Sequence, residues 1–344
     1  MHPGFFRFWK EPFVFLDAVR RITPSRCRRA APVRAQLLPR RLARLLLATL
    51  TLIGGAACAG ERAAVEQGAV DAVVVDDFGD TLRLAAAAQR VVSLNPVTTE
   101  LLFALGAGDR VVGRTSWDLY PEAAKAVPDL GNGMGPNVEA VIGQRPDLVL
   151  LYASESNRAA SQQLHAAGIA TLTYRTDKIA DLQRVIPVIA AALGVDSVGR
   201  LVADTVRASV DAVRALPRPS EPVRAFWHIW DAPLLTIGGG SYMSELLDVA
   251  GAANVFADAE QPSPAVSLEE VARRNPDVIL AGPNNARKIR ENPLWQAVPA
   301  VRAGRILVID TTIVGRPGVR MGEAARFLRR ALVDSFASTG AGLP

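Results

Sequence analysis

Along most of the chain, short continuous apolar runs alternate with segments of helical period, a pattern that predicts parallel sheets covered by helices on both faces. The apolar runs read as strands at Arg90–Leu94, Val111–Thr115, Ala170–Tyr174, Val223–Ile229 and Ile306–Asp310. Ahead of them, Val73 to Leu84 carries Asp76-Asp77-Phe78-Gly79-Asp80 between β-favouring residues, which predicts a hairpin. Lys178–Leu193 is helical with a break near Pro187 or Gly194. The cleanest helical period follows in Asp196–Leu216, where Leu201, Val202, Thr205, Val206, Ser209, Val210 and Val213 form one stripe. Such a helix runs about 31 Å, enough to cross between two lobes. Pro217, Pro219 and Pro222 end it.

The pattern repeats within the chain. Glu100-Leu101-Leu102 is followed by Gly106-Ala107 as Glu245-Leu246-Leu247 is followed by Gly251-Ala252, each with Ser or Thr just before. Both read as capped helices that end on a C′ glycine. The stretch from Asn137 through Glu139 to Pro146-Asp147 and its apolar run likewise matches Ser267 through Glu269 to Pro276-Asp277. Each predicts a helix of about two turns, a stop, and a buried strand. The expected fold class is therefore α/β: two α/β lobes with mainly parallel sheets, joined by a single long helix.

Charge changes the picture at one end only. The formal net charge is +5, but the residues before Leu45 carry +9 and everything after carries −4. A mildly acidic body removes the electrostatic case for nucleic acid. Arg40, Arg41 and Arg44 precede an uncharged run from Leu45 to Ala57, too short to span a bilayer comfortably, which reads as a signal peptide. It ends in Gly55-Ala56-Ala57-Cys58, resembling a lipoprotein signal whose cysteine is acylated, although Gly55 stands where leucine is usual. Simple cleavage after Ala57 is the alternative. Met1–Pro32 is either an unusually long leader or an over-extended start. Cys27 falls within it, so Cys58 has no disulfide partner in the exported chain.

Chemistry is sparse. No Gly-x-x-x-x-Gly-Lys-[Ser/Thr] loop occurs, so the chain does not itself use ATP. The histidines are His2, His165 and His228, too few for a His-rich metal cluster. His165 reads as an inert surface residue. His228 shares a strand face with Phe226 and Trp230, a face that is either core or a ligand wall offering an iron ligand. Gly238-Gly239-Gly240-Ser241-Tyr242 comes close to a nucleophile elbow without matching, and is read as room for a ligand's close approach. Asp76/Asp77 and Glu269/Glu270 do not form an acid/base pair. No catalytic residue, resident metal or cofactor is expected, and the chain is read as a non-enzyme.

The order of Arg90-Val-Val-Ser93-Leu-Asn95-Pro96-Val-Thr-Thr99-Glu100, Gly113-Arg-Thr-Ser-Trp117-Asp-Leu-Tyr120-Pro121, Gly131-Asn-Gly-Met134-Gly-Pro-Asn137-Val-Glu139 and Pro146-Asp147 resembles the solute-binding proteins of ABC importers for cobalamin, haem and ferric siderophores. The resemblance covers roughly Asp76 to Leu332. It implies a ligand cleft between the lobes, with Asn95, Trp117, Met134, Ser154, Trp230, Tyr242, Arg316 and Arg320 as ligand-binding candidates. Arg316 and Arg320 suit an anionic ligand because the guanidinium fork pairs with carboxylate or catecholate oxygens. It also implies one acidic residue per lobe docking to the permease; by position these are Glu139 and Glu269. Asn132 and Ser263 stand where cobalamin carriers place tryptophan, a departure from that branch.

The resulting division is a leader at 1–57, a tether at 58–72, an N-terminal lobe at 73–195, an interlobe helix at 196–216 and a C-terminal lobe at 217–344. The expected partners are an ABC permease with its ATPase and a small-molecule metal chelate carried as cargo. The protein is expected to be exported, monomeric, and attached to the membrane by lipid at Cys58 alone. A surface-anchored binding protein without a transport role, and a two-lobed metal-cluster enzyme subunit, are the competing readings; the cysteines such a cluster needs are absent.

Overall fold

The computed structural model describes residues 72–334. The leader, Cys27, Cys58 and all but the last residue of the tether lie outside the described residues. The described part belongs to one structural unit of the chain.

The chain begins with the antiparallel hairpin β1 (Ala72–Val75) and β2 (Thr81–Leu84). A first lobe follows, built from β3 (Val91–Ser93), α1 (Pro96–Ala104), β4 (Val111–Gly113), α2 (Val138–Gly143), β5 (Leu148–Tyr152), α3 (Glu155–Ala166) and β6 (Ala170–Tyr174). Its sheet is wholly parallel in the order β4-β3-β5-β6. α4 (Ile179–Ala192) and α5 (Asp196–Arg214) then lead to a second lobe. That lobe contains β7 (Arg224–Asp231), β8 (Leu234–Thr236), α6 (Tyr242–Ala250), β9 (Ala253–Asn254), α7 (Leu268–Arg274), β10 (Val278–Ala281), α8 (Pro283–Glu291), α9 (Pro299–Arg302), β11 (Ile306–Val308), α10 (Thr311–Val314) and α11 (Met321–Leu328). Its sheet runs β11-β10-β7-β8 with β9 also beside β7, and only the β7–β8 pairing is antiparallel. The two sheets are separate.

The expected strands are all present; β6 coincides with its expected bounds, while β3, β4 and β11 are shorter than expected. Pro187 does not break α4. Leu182, Val185, Ile186, Ile189 and Ala190 are fully buried along one face, and that burial outweighs the hydrogen bond proline forfeits. The break comes instead at Gly194, with φ +66°. α5 stops at Arg214, two residues before the expected end, with Ala215 as its C-cap. It packs on α4, where Gly199 leaves no room for a Cβ beside Ala190, and on α11, where Gly322 lies equally close to Ser209.

The repeat read in the sequence is repeated in the bonding. Asn137 Oδ1 accepts from Ala140 N at the start of α2, as Ser267 Oγ accepts from Glu270 N at the start of α7. Both helices stop on a left-handed non-glycine residue nearby, Arg145 at φ 50° and Asn275 at φ 44°. Asp147 then accepts from the Arg90 amide, and Asp277 from the Arg224 amide. Arg90 and Arg224 each donate back to two carbonyls at the end of their helix. In both lobes one arginine thus satisfies the orphan carbonyls of a short helix and ties it to the neighbouring strand.

The main hydrophobic core is shared. It runs from Val91, Leu101 and Leu150 in the first lobe through Ile186, Val202, Val206 and Val210 to Leu246, Leu280 and Leu328 in the second. A smaller cluster lies on the far face of each sheet, around Val149 and Leu164 in one and around Phe226, Ile279 and Trp295 in the other.

Candidate ligand-binding site

In a parallel sheet the loops beyond the carboxyl ends of the strands are where ligands gather, because helix N-termini and irregular backbone converge there. Beyond β3 come Asn95 and α1; beyond β6, Thr176–Lys178 and α4; beyond β8, Gly238–Ser241 and α6; beyond β11, α10 and Gly315–Pro317. These segments of both lobes enclose a cavity of about 290 Å³, whose wall includes Asn95, Tyr152, Asp177, Tyr242, Ser263 and Arg316.

Each wall residue has a local reason for its position. Asn95 is the N-cap of α1, its side chain accepting from the Val97 amide at 3.0 Å. Ser241 caps α6 in the same way, with its hydroxyl oxygen accepting from the Ser244 amide. Tyr242 is buried and donates to the Val314 carbonyl at 2.6 Å; burial holds its phenol well above the usual tyrosine range. Tyr152 donates to Asp177 Oδ1 at 2.7 Å, and burial again raises its pKa.

Three of the eight ligand candidates, Asn95, Tyr242 and Arg316, therefore share this cavity. Trp117, Met134 and Trp230 do not line it; they are exposed at 58%, 52% and 61%. Met134 sits on a loop held by buried Asn157, which donates to Gly133 O and accepts from Gly135 N. Its amide also donates to Asn132 Oδ1. Ser154 starts α3, its hydroxyl paired with Ser156 rather than facing the cavity. Gly238, Gly239 and Gly240 make room for protein, not ligand: a Cβ on any of them would run into carbonyls of the Ala257–Gln261 segment.

Behind the cavity lies a charge cluster that crosses from lobe to lobe. Arg320, from the start of α11, forks onto Glu100 of α1 at 2.9 and 3.3 Å and donates also to the Thr312 carbonyl. Its guanidinium lies over the Tyr120 ring at 3.8 Å. Arg316 donates to the Trp117 carbonyl at 2.5 Å and approaches Glu100 at 3.8 Å. Both arginines expected to await an anionic ligand are thus engaged with the first lobe.

Burial raises the Glu100 carboxyl above its usual range, against the hydrogen bond and charge of Arg320. Burial would lower the Arg320 guanidinium, but the Glu100 carboxylate holds it above its ordinary value. Next to them Asp118 is fully buried, accepting from Thr115 and Thr99; burial raises it too. Gly318 fits against the Glu100 carboxylate, where a Cβ would stand only 2.9 Å from Oε2.

Glu100, Asp118 and Tyr120 were not among the site residues expected from the sequence, where Glu100 figured in the repeat. A signal was present: Glu100 is the one charged residue of the helix Pro96–Ala104. Such a charge persists inside only where a partner meets it.

Neither described histidine faces the cavity. His165 bonds Thr171 Oγ1 at 2.7 Å. His228 is core, 2% exposed and edge-on to Trp295. Its Nε2 lies 3.0 Å from Asp231 Oδ1, but neither ring nitrogen makes a well-directed hydrogen bond. Burial lowers its pKa against the pull of Asp231, leaving it neutral. Glu139 and Glu269 each occupy the second position of their helix, exposed on α2 and α7. The α7 backbone and Ser267 hold Glu269 below the usual carboxylate range. A larger hollow of about 560 Å³ is lined by second-lobe residues alone, among them Leu268, Lys288 and Trp295.

A seam floored by helix N-termini, between two repeated lobes, agrees with comparison to known proteins. Residues 91–312 match the family model for periplasmic binding proteins, more than half of the chain. The chain belongs to the periplasmic binding protein family. A vitamin B12-binding protein of Yersinia pestis (strain Pestoides F) is 32% identical over 211 residues, 61% of this chain and 75% of that protein. One of Vibrio vulnificus (strain CMCP6) is 28% identical over 240 residues, 69% of this chain and 87% of that one. Among solved structures, a periplasmic heme-binding protein of Roseiflexus sp. RS-1 in apo form is 28% identical with a TM-score of 0.67, covering 72% of this chain and 99% of its own. The periplasmic vitamin B12 binding protein of Vibrio cholerae is 25% identical with a TM-score of 0.63, covering 71% and 96%. These relatives of the periplasmic binding protein described here are named as binding proteins.

Proposed function

We propose that this periplasmic binding protein is the extracytoplasmic solute carrier of an ABC importer, capturing a metal chelate of the cobalamin class in the seam and handing it to the permease. The observation that carries the reading is the cavity lined from both lobes, where α1 and α6 present their N-termini. The names of the 32% and 28% identical relatives support a corrinoid as cargo. The donor chemistry favours the same class. Neither described histidine lines the cavity, and Tyr152 and Tyr242 donate to Asp177 and to the Val314 carbonyl. A chelate whose metal brings its own ligands needs none from these walls. Haem is the second reading, favoured by the likeness to the Roseiflexus heme-binding protein.

Exposed Glu139 and Glu269, at equivalent places on the two lobes, suit paired arginines on a two-fold permease. The ATPase partner, the monomeric state, the lipid anchor at Cys58 and the absence of turnover belong to the same proposal.

Tryptophan fluorescence of the purified full chain, titrated with cyanocobalamin, haemin and a panel of ferric siderophores, tests it. Saturable quenching by cyanocobalamin supports the proposal; quenching by haemin alone moves it to the second reading, and quenching by none overturns it. Replacing Glu139 and Glu269 together with alanine is expected to abolish uptake in cells while leaving that affinity intact.

A further inference from the structure

The two glutamates of the internal repeat, Glu100 and Glu245, both reach across the seam. Glu100 leaves α1 of the first lobe for Arg320, the residue that opens α11 of the second. Glu245 leaves α6 of the second lobe for Lys178, the residue that opens α4: Lys178 Nζ lies 3.3 Å from Glu245 Oε1. The other carboxylate oxygen, Oε2, accepts from the Ile179 amide at 2.9 Å, at the N-terminus of α4, where the helix dipole favours a negative charge. Lys178 also donates to the Gly239 carbonyl just ahead of α6. Each lobe thus ties a glutamate to a cation at the start of a helix of the other.

The ties differ in how wet they are. The side chains of Glu100 and Arg320 are 1% and 13% exposed, and Arg316, Tyr120 and the Trp117 carbonyl thicken that contact. The side chains of Glu245 and Lys178 are 35% and 37% exposed. The attraction within an exposed pair weakens as salt rises, the screening length falling from about 10 Å at 0.1 M to about 3 Å at 1 M, whereas buried charges are screened much less. The cavity lies between the ties, with Gly315–Pro317 toward one and Thr176–Asp177 and Met243 toward the other.

We propose that Glu100–Arg320 is the fixed pivot of the seam and that Lys178–Glu245 is the contact at which it opens. Lys178 and Glu245 are then positioning residues: they set the separation of the cavity walls without holding the cargo. The purpose assigned to this motion rests on the carrier reading above; its test needs no cargo.

The test is hydrogen–deuterium exchange of the unliganded full chain, as wild type, Glu245→Gln and Lys178→Met, between about 0.05 M and about 0.5 M salt. In wild type, the amides of residues 178–182 are expected to exchange about threefold faster or more at high salt, with 117–121 and 316–321 unchanged. Glu245→Gln is expected to exchange fast at 178–182 already at low salt, and both variants are expected to lose the salt response. Equal salt responses at the two ties, no response at 178–182, or faster exchange throughout the variants would each overturn the proposal. A cargo-free readout keeps failure here distinct from failure of the ligand titration.

Discussion

The two lobes are near copies where they face solvent and unlike where they face each other. At the outer ends, Arg90 with Asp147 and Arg224 with Asp277 make the same bonds to the same kinds of groups. At the seam, the repeated glutamates meet different cations at different depths, Glu100 in the dry and Glu245 in the wet. A short helix poses the same problem in either lobe, four orphan carbonyls to satisfy, and one solution serves twice. The seam has to hold on one side and yield on the other, and a symmetric pair of ties would do neither well.

That contrast can be broken in stages. The largest effect is expected from Glu100→Ala, which leaves Arg320 buried without its partner and should cost about 3–5 kcal/mol of folding stability in urea unfolding. A cost below about 1 kcal/mol would mean that the tie is solvated after all. Next come the helix caps: Asn137→Ala and Ser267→Ala should each cost about 1 kcal/mol, and by similar amounts if the lobes are equivalent outside the seam. Lys178→Ala should cost about 0–1 kcal/mol at low salt and nothing measurable at high salt, since an exposed pair is screened.

The smallest signal concerns pH. Burial depresses His228, so the unfolded chain binds a proton that the folded one refuses. The stability this contributes is present above the unfolded histidine pKa of about 6.5 and is lost as pH falls from there through the lower folded value. His228→Asn should flatten the decline of Tm between about pH 7 and pH 5; an unchanged decline would place the acid sensitivity elsewhere.

Much of the architecture was legible because it is local. Continuous apolar runs mark parallel strands whatever surrounds them, and the matching stretches from Asn137 and Ser267 each predict a short helix, which starts at the next residue in both. Pro187 was ambiguous because the deciding factor, a buried face through Leu182, Val185 and Ile189, is tertiary. The site was less legible for the same reason. Asn95, Tyr242 and Arg316 meet at one cavity as their strand-end positions suggest, but Arg320 is spent on Glu100, a partner 220 residues away. The three glycines before Ser241 face the Ala257–Gln261 backbone, which spacing along the chain does not reveal.

On the proposed reading the seam, and not the larger hollow of the second lobe, holds the cargo. Exchange footprinting with saturating cyanocobalamin tests it most directly. Exchange is expected to slow at residues 95–99, 176–179 and 241–245 and to stay unchanged at 288–295. Protection confined to 288–295 would contradict it.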